Sequence, residues 1–463
     1  MKRTQYNLTT AISIIIAAMI GTGVFTSLYF QVDSVPSGAG LLVLWLAGGV
    51  VALCGGLCYA ELAGYFPRSG GEYEYLTKIY HPALGFSTGL CTLVVGFAAP
   101  MAGIALNLGN YLCPILHIEP DSAASRGVAV GSVVFIMFIH LVSPDAGSKF
   151  QTLSTLFKLG LIAVFLALPW MVSDYQPAGL SFEFNAQAVD TIASGSFFSC
   201  LALLYYTYTG WNTSIYIASD IENPERNLPL SILIGVGVVT VTYILLNFVF
   251  LFVCNFNEIR AGGTSIGNTY VTKLFGVKTW AGVRVVSVFS ALLSLALLAT
   301  LNAFTIAAYR VAEVFGTDHA AFGFLAKKSN GHVPYLAILT TGIVTLVFVV
   351  VSDIKSLLDY IGFALSAFGS LSVFGLMLVR WRNPHKARLF KTWGYPVTPL
   401  VFLGINAAMV YYSVQTLYGG HFLYSLDANG NFSLSPLSAS LVTILVGVGL
   451  YYIFGSKQQK FVS

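Results

Sequence analysis

Long apolar stretches recur along this chain from near its beginning almost to its end, and most are long enough to cross a lipid bilayer. Crossing the hydrocarbon core takes roughly 20 apolar residues of helix, and only helices and closed barrels satisfy every backbone group there. We count twelve stretches, of which the fourth is short, so the sequence predicts an all-α polytopic membrane protein with twelve transmembrane helices. The predicted spans are residues 9–30, 41–65, 82–112, 128–142, 153–172, 194–217, 229–253, 285–309, 334–351, 357–379, 397–418 and 436–454.

The composition agrees with a membrane environment and argues against other classes of protein. Hydrophobic residues make up 56% of the chain and charged residues only 9%, too few to cover a soluble globule of this length. The net charge of +4 comes without the interleaved basic and aromatic residues of a single-strand binding surface, so we expect no nucleic acid partner. The six cysteines lie in or at the ends of spans without metal-ligand or redox spacing. We therefore expect no metal and no cofactor.

The positive residues of the loops predict the orientation in the membrane. Lys and Arg collect in cytoplasmic loops, and an inside N-terminus assigns most of the 23 to that side. The densest cluster, Arg380 to Lys391, follows the tenth span. An even number of spans then places both termini in the cytoplasm, and we expect a multi-pass protein of the cell membrane.

Two spans carry an interruption in the middle. The first contains Ile20, Gly21, Thr22, Gly23 and Val24, and paired glycines there weaken a helix. The sixth contains a polar and aromatic patch with a glycine, residues 205–212. Because the interruptions are five spans apart, a second set of five helices repeating the first would be inverted in the membrane. We predict repeats at residues 1–175 and 190–380, followed by two peripheral helices within 395–455.

A lone Gly-x-Gly in a membrane helix is more often a close helix contact than a binding site. Broken helices at matching positions of inverted halves, however, indicate a substrate site at the membrane midplane. In the predicted orientation, the second half of span one begins near Thr22 to Val24 with free amides, which attract an anion. The first halves of spans one and six end near Ile20 and Tyr206 with free carbonyls, which attract a cation. No Asp or Glu lies near the middle of any span. A small zwitterion such as an α-amino acid fits both sets of groups.

Lys158 is a charged residue within the fifth span. A lysine in the bilayer interior costs at least about 2.5 to 3.5 kcal/mol on insertion scales, which favours a functional role over a lysine that reaches the interface. It could exchange a proton and so couple transport to protons. Alternatively, its ammonium group replaces a sodium ion by bonding the unwound carbonyls near Gly21.

Several motifs resemble those of the amino acid–polyamine–organocation (APC) superfamily, and within it the L-type amino acid transporters and their bacterial relatives. Residues 20–25 look like the first-helix motif of that family. Residues 59–62 with 67–73 resemble the segment between helices two and three, and residues 210–212 with 221–229 resemble the sixth helix and its cytoplasmic exit. The resemblance covers nearly the whole chain and implies a LeuT-like fold, a 5+5 inverted repeat with discontinuous helices 1 and 6.

The resemblance also implies roles for single residues. Backbone amides of the first-helix motif would hold the substrate carboxylate, and the carbonyls of Ile20, Tyr206 and Thr209 its amine. The Tyr206 ring would close over the substrate, Lys158 would replace a sodium site, and Thr209 would make the pocket smaller. The candidate substrate-binding residues are Ile20, Gly21, Thr22, Gly23, Val24, Tyr206, Tyr208 and Thr209.

The resemblance further bears on partners. Eukaryotic light chains of the family bond an accessory subunit through a cysteine near the position of Cys113, whereas bacterial members work alone. The short termini of this chain resemble the bacterial members, so we expect no obligatory accessory subunit and a packing role for Cys113.

These observations together predict a secondary transporter of neutral L-amino acids. It would be independent of sodium, work by alternating access, and either exchange amino acids or couple their uptake to protons. The alternative is a cationic amino acid or polyamine exchanger of the same superfamily, which needs a carboxylate facing the substrate. An enzyme is disfavoured because the seven histidines form no catalytic cluster, and a channel because the polar residues concentrate at the two breaks.

Overall fold

Helices account for nearly all the regular structure of the chain. The computed structural model describes residues 7–455 except 22, 67–70, 143, 173–174, 176, 181, 277–279, 330–332, 386–387, 389, 418–423 and 427–431. The α-helices are α1 (Leu8–Met19), α2 (Ser27–Gln31), α3 (Gly38–Tyr65), α4 (Glu72–Ile79), α5 (Pro82–Cys91), α6 (Ala99–Leu116), α7 (Ala123–Val142), α8 (Pro144–Met171), α9 (Ala186–Ala193), α10 (Gly195–Thr207), α11 (Pro224–Val253), α12 (Phe256–Gly262), α13 (Ile266–Phe275), α14 (Trp280–Asp318), α15 (Tyr335–Val351), α16 (Ile354–Arg382), α17 (Val397–Leu417) and α18 (Pro436–Leu450).

Other short elements join or extend these helices. Tight 3-10 turns occupy Gly23–Phe25, Thr213–Asp220 and Ala320–Ala326. A π-helical segment, Thr92–Ala98, joins α5 to α6, and another, Tyr451–Gly455, extends α18. The strands β1 (Tyr424–Leu426) and β2 (Phe432–Leu434) form an antiparallel hairpin between α17 and α18, which the sequence did not predict.

The apolar spans predicted from the sequence are present as helices. Within the described residues, nine helical stretches are long and apolar enough to cross a membrane, and α9 with α10, bent by 65°, makes a tenth. Two further apolar helices, Phe157–Met171 and Tyr335–Val351, are shorter. The chain is therefore an all-helical polytopic membrane protein with about ten apolar spans.

Glycines allow α3 to lie directly against α11. A Cβ atom on Gly49 would lie 2.3 Å from Thr240 Oγ1, and one on Gly56 would lie 2.5 Å from Ile232 Cγ2. Helices in lipid associate through such close backbone approach, because lipid tails provide no hydrophobic driving force between them. This contact fixes α11, which in turn packs along α1 and carries a side chain of the candidate site described below.

A buried ion pair ties the end of α3 to the end of α16. Arg380 Nε donates to Glu61 Oε1 at 2.8 Å, and the backbone N–H of Thr392 donates to Glu61 Oε2 at 2.7 Å. The Glu61 side chain is fully enclosed, and Arg388 Nε lies 3.9 Å from it. The segment after α16, where the sequence has its densest positive cluster, is thereby held against α3.

We predict that Glu61→Ala lowers the melting temperature of the purified protein in detergent. The substitution leaves Arg380 buried without its carboxylate, and breaking a buried pair in this way costs roughly 3 to 5 kcal/mol. Asp33→Ala is the matched control, because Asp33 pairs with Arg260 while 67% of its side chain is exposed, where a pair contributes about 0 to 1 kcal/mol. Equal melting temperatures for the two variants would contradict the prediction.

Candidate functional site

Both predicted breaks are present, and they lie against each other. Helix α1 ends at Met19 and the chain resumes as a 3-10 turn at Gly23, while α10 ends at Thr207 and resumes as a 3-10 turn at Thr213. A Cβ atom on Gly23 would lie 2.6 Å from Thr207 Oγ1, and one on Gly210 would lie 2.9 Å from the carbonyl carbon of Ala18. Each break therefore touches the end of the other half-helix.

The local sequence explains why the chain leaves the helical path at these points. Gly210 has a φ of +110°, a conformation that side chains other than glycine rarely adopt. Ser27, just beyond the first break, shares a 2.8 Å hydrogen bond between its hydroxyl and that of Thr207. The close contact at the glycines and this side-chain hydrogen bond together hold the two breaks beside each other.

Tyr243 of α11 connects the two half-helices. Its hydroxyl lies 2.6 Å from the Met19 carbonyl oxygen and 3.2 Å from that of Thr207, and its side chain is fully buried. A helix end in lipid has carbonyls without an intrahelical partner, so one phenol supplies a donor to the last turn of both broken helices. The sequence did not single out Tyr243, because its one signal is a phenol within an otherwise regular apolar helix.

Lys158 reaches the first break from α8. Its ammonium nitrogen donates to the carbonyl oxygen of Ile20 at 2.7 Å and to Thr300 Oγ1 at 3.0 Å. The residue is 5% exposed, so it points into the interior and does not reach for the interface. The amine of Lys158 therefore lies against the carbonyl end of the first half-helix. Thr300, its second acceptor, is another residue that the sequence did not indicate.

A small cavity lies between the breaks. The space open to the centre of a water-sized sphere is about 20 Å³, and one water needs roughly 10 to 15 Å³, so a larger solute requires the walls to move. None of the described residues that line it is charged. The lining consists of Ala18, Met19, Gly21 and Gly23 from the first break, Tyr206, Thr207 and Thr209 from the second, Ile104 from α6, and Thr300 and Phe304 from α14.

The predicted residues divide into three groups around this cavity. Gly21, Gly23, Tyr206 and Thr209 line it. Ile20 contributes the carbonyl that Lys158 binds, and Val24 is fully buried in the adjoining 3-10 turn. Tyr208 points away from it, since its hydroxyl donates to the carbonyl oxygen of Trp45 at 2.7 Å. The prediction for Thr22 lies outside the described residues.

Aromatic rings pack beyond the second half of the first broken helix. Phe25 lies 6.0 Å from Phe165 and 6.3 Å from Phe250 between ring centroids, and Tyr270 of α13 stacks on Phe165 at 5.5 Å. Tyr111 donates to the Phe25 carbonyl oxygen at 3.0 Å and accepts from the N–H of Gly267. On this side the half-helix is thus held by rings and hydrogen bonds from α6, α8, α11 and α13.

Two half-helices that end at one buried cavity define a class of membrane protein, the transporters built with discontinuous helices. Comparison with known proteins gives the family. The family model described as Amino acid permease matches residues 6–453, so this chain belongs to the amino acid permease family of the APC superfamily. Members of this family are transporters and not enzymes.

Individual relatives are similar over most of their length. The b(0,+)-type amino acid transporter 1 of Mus musculus is 28% identical over 470 residues, which cover 98% of this chain and 90% of the relative. The human protein of the same name is 28% identical, and the matched region covers 84% of this chain and 78% of the relative. The large neutral amino acids transporter small subunit 2 of Mus musculus is 25% identical, and the matched region covers 89% of this chain and 76% of the relative.

We predict that Gly23→Ala impairs transport far more than Gly21→Ala. A methyl group on Gly23 would lie within 2.8 Å of three Thr207 atoms, including its Cα, so the two half-helices would have to separate. On Gly21 the nearest atom is Thr300 Cγ2 at 3.6 Å, an ordinary contact. Uptake of a labelled amino acid by proteoliposomes checks this, with a loss of at least tenfold expected for Gly23→Ala only. A similar loss in both variants would show that the contact with Thr207 is unimportant.

Tyr243→Phe should reduce both the uptake rate and the melting temperature. The change removes the one hydroxyl hydrogen that the buried carbonyls of Met19 and Thr207 share, and leaving a buried acceptor unsatisfied costs about 1 to 3 kcal/mol. Tyr360→Phe is the control, since it removes a hydroxyl bonded to Thr443 at 2.7 Å between α16 and α18. If both phenylalanine variants lose the same amount of activity, Tyr243 has no special part in joining the breaks.

Proposed function

We propose that this permease carries neutral L-amino acids across the cell membrane by alternating access, without sodium. The observation that carries the proposal is the cavity between the two breaks, whose described lining has no charged side chain and which adjoins the lysine-bound carbonyl of Ile20. A zwitterion can be held there by backbone groups alone. This supports a substrate whose own side chain is uncharged.

The substrate's two charged groups are assigned to the half-helix ends. Amides of Thr22, Gly23 and Val24 would hold the carboxylate. Gly23 and Val24 lie in the first turn after the break, where amides lack intrahelical acceptors. Carbonyls at Ile20, Tyr206 and Thr209 would hold the amine. A carbonyl oxygen has two lone pairs, so the bond from Lys158 leaves Ile20 able to accept a second. Tyr208 contributes by packing on Tyr243, with ring centroids 5.2 Å apart.

Lys158 is proposed to stand in for a sodium ion. Its ammonium group donates to a backbone carbonyl and a threonine hydroxyl, which are oxygen ligands of the kind that a hard cation takes. A covalently attached charge at this point removes the need for sodium to complete the site. The same contacts are compatible with exchange of amino acids and with coupling to protons.

The proposed architecture has twelve transmembrane helices. The described residues contain nine long spans, the bent pair α9–α10 and two shorter apolar helices. Counting the bent pair and the two shorter helices as spans gives twelve. Residues 1–175 and 190–380 would be the inverted repeats of a LeuT-like fold, with residues 395–455 peripheral. Both termini would be cytoplasmic, so the segment between α16 and α17 would face the cytoplasm.

Transport requires the half-helices to move, because the cavity is smaller than an amino acid. Tyr206 is proposed to close over the substrate. Its hydroxyl lies beside Gly103 of α6, 3.8 Å from the position of an added Cβ. Tilting of α1 and α10 would then open the site to one side of the membrane at a time.

The alternative, a cationic amino acid or polyamine exchanger, is less well supported. It needs a carboxylate at the cavity, and the described lining provides none. An obligatory accessory subunit is likewise not part of the proposal, although one relative's name calls it a small subunit. Cys113, the candidate for bonding such a subunit, is 3% exposed and lies 3.4 Å from the carbonyl oxygen of Gly109.

Uptake into liposomes containing the purified protein tests the function. A panel of labelled L-amino acids is offered with and without internal amino acid, and sodium and pH gradients are varied separately. Saturable uptake of neutral amino acids without sodium is expected. Uptake restricted to lysine, arginine or polyamines would replace the proposal by its alternative.

Lys158→Gln should abolish most uptake at every sodium concentration, because the amide lacks the positive charge that an ammonium group would place on the Ile20 carbonyl. Lys78→Gln is the control, since it removes an exposed lysine from the last turn of α4. A Lys158→Gln protein with the wild-type rate and KM would refute the assigned role.

A further inference from the structure

Asp359 is a buried carboxylate that pairs with no cation among the residues that the structure describes. It lies in α16 and is 4% exposed, and its Oδ1 atom is enclosed without a hydrogen bond. Among the described residues, none forms an ion pair with it. Glu61 near the other end of the bundle shows the contrast, since two donors from Arg380 and Thr392 hold its charge.

The position of Asp359 connects it to the second broken helix. Helix α16 packs on α10, and a Cβ atom on Gly362, one turn after Asp359, would lie 2.4 Å from the Ala202 carbonyl oxygen. Helix α10 ends at Thr207 and carries Tyr206, the proposed gate. The carboxylate therefore lies at the joint between a half-helix that is proposed to move and the helix behind it.

The surrounding groups do not neutralise a charge at this position. Lys355 and Asp353 act on it from its own helix, and both are exposed near the helix start. From α10, the facing titratable group is Cys200, which Asp359 influences electrostatically. An unpaired carboxylate out of water is costly enough that it takes up a proton instead. Enclosure between α10 and α16 therefore favours the protonated form of the Asp359 carboxyl.

We propose that Asp359 is a proton-binding site that controls closure of α10 against α16. When the two helices separate, the carboxylate reaches water and loses its proton. Closure then requires the proton to return, so alkaline conditions hold the joint open and slow each transport cycle. The inference rests on the proposed function, because it assumes that α10 moves during transport. No net movement of protons across the membrane is required.

Exchange of labelled for unlabelled neutral amino acid in proteoliposomes, with equal pH on both sides, tests the proposal without a driving gradient. Wild-type exchange should slow as the pH rises, whereas Asp359→Asn, which imitates the protonated form, should stay at the fast rate at every pH. Asp353→Asn and Lys355→Gln remove exposed charges about one to two turns away and should keep the wild-type profile. Asp359→Leu replaces the asparagine variant if that variant does not fold.

Four results would overturn the proposal. The first is a wild-type rate that does not change with pH, and the second is an unaltered pH profile in both Asp359 variants. The third is a loss of pH dependence in Lys355→Gln, which would mean that the carboxylate works through an ion pair. The fourth is exchange that requires sodium in the wild type but not in the Asp359 variants, since the carboxylate would then bind a metal cation.

A second measurement does not depend on transport. Infrared spectra of the purified wild-type protein at neutral pH should contain the band of a protonated carboxyl group, and Asp359→Asn should lack it. Absence of that band in the wild type refutes the proton site. If the band is present but no amino acid is exchanged at any pH, the proposed function fails while the proton site stands.

Discussion

The reciprocal contact between the two broken helices is the constraint on which the rest of the site depends. Gly23 fits against Thr207, and Gly210 fits against Ala18, so a side chain at either glycine would displace the other half-helix. In lipid, the backbone groups that the breaks release must find partners. Tyr243 and Lys158 provide donors to three of the carbonyls involved, those of Met19, Thr207 and Ile20. The breaks are therefore stabilised both by the glycine contacts and by donors to the released carbonyls.

Buried charges in this chain differ in how they are compensated, and the difference separates structural from mobile regions. Glu61 is held by charge-assisted bonds that connect α3 to α16, an arrangement suited to a fixed contact. Lys158 has two neutral oxygen acceptors, one of them on the broken helix, so its partner belongs to the proposed moving part. Asp359 has no partner among the described residues, which makes its charge state sensitive to how α10 packs on α16.

The sequence predicted the helices, the breaks and the burial of Lys158 because each depends on local chemistry. Paired glycines weaken a helix wherever they occur, and apolar length alone marks a span. The parts that it missed are contacts between residues far apart in the chain. Tyr243 and Thr300 lie on regular apolar helices, and only the packing of α11 and α14 brings them to the first break. The side chain of Tyr208 was expected at the site, yet it turns toward Trp45, because neighbouring residues on a helix face different directions.

Recognition of the substrate through backbone groups would allow the substrate selectivity of the site to change separately from its binding of the zwitterion. If amides and carbonyls at the breaks hold the zwitterion, substitutions that preserve the glycines leave that recognition intact. Selection among substrates then falls to lining side chains such as Ile104, Phe304 and Thr209, which can change size without disturbing the breaks. Relatives at 25 to 28% identity can therefore share the means of holding an amino acid while differing in which side chain they accept.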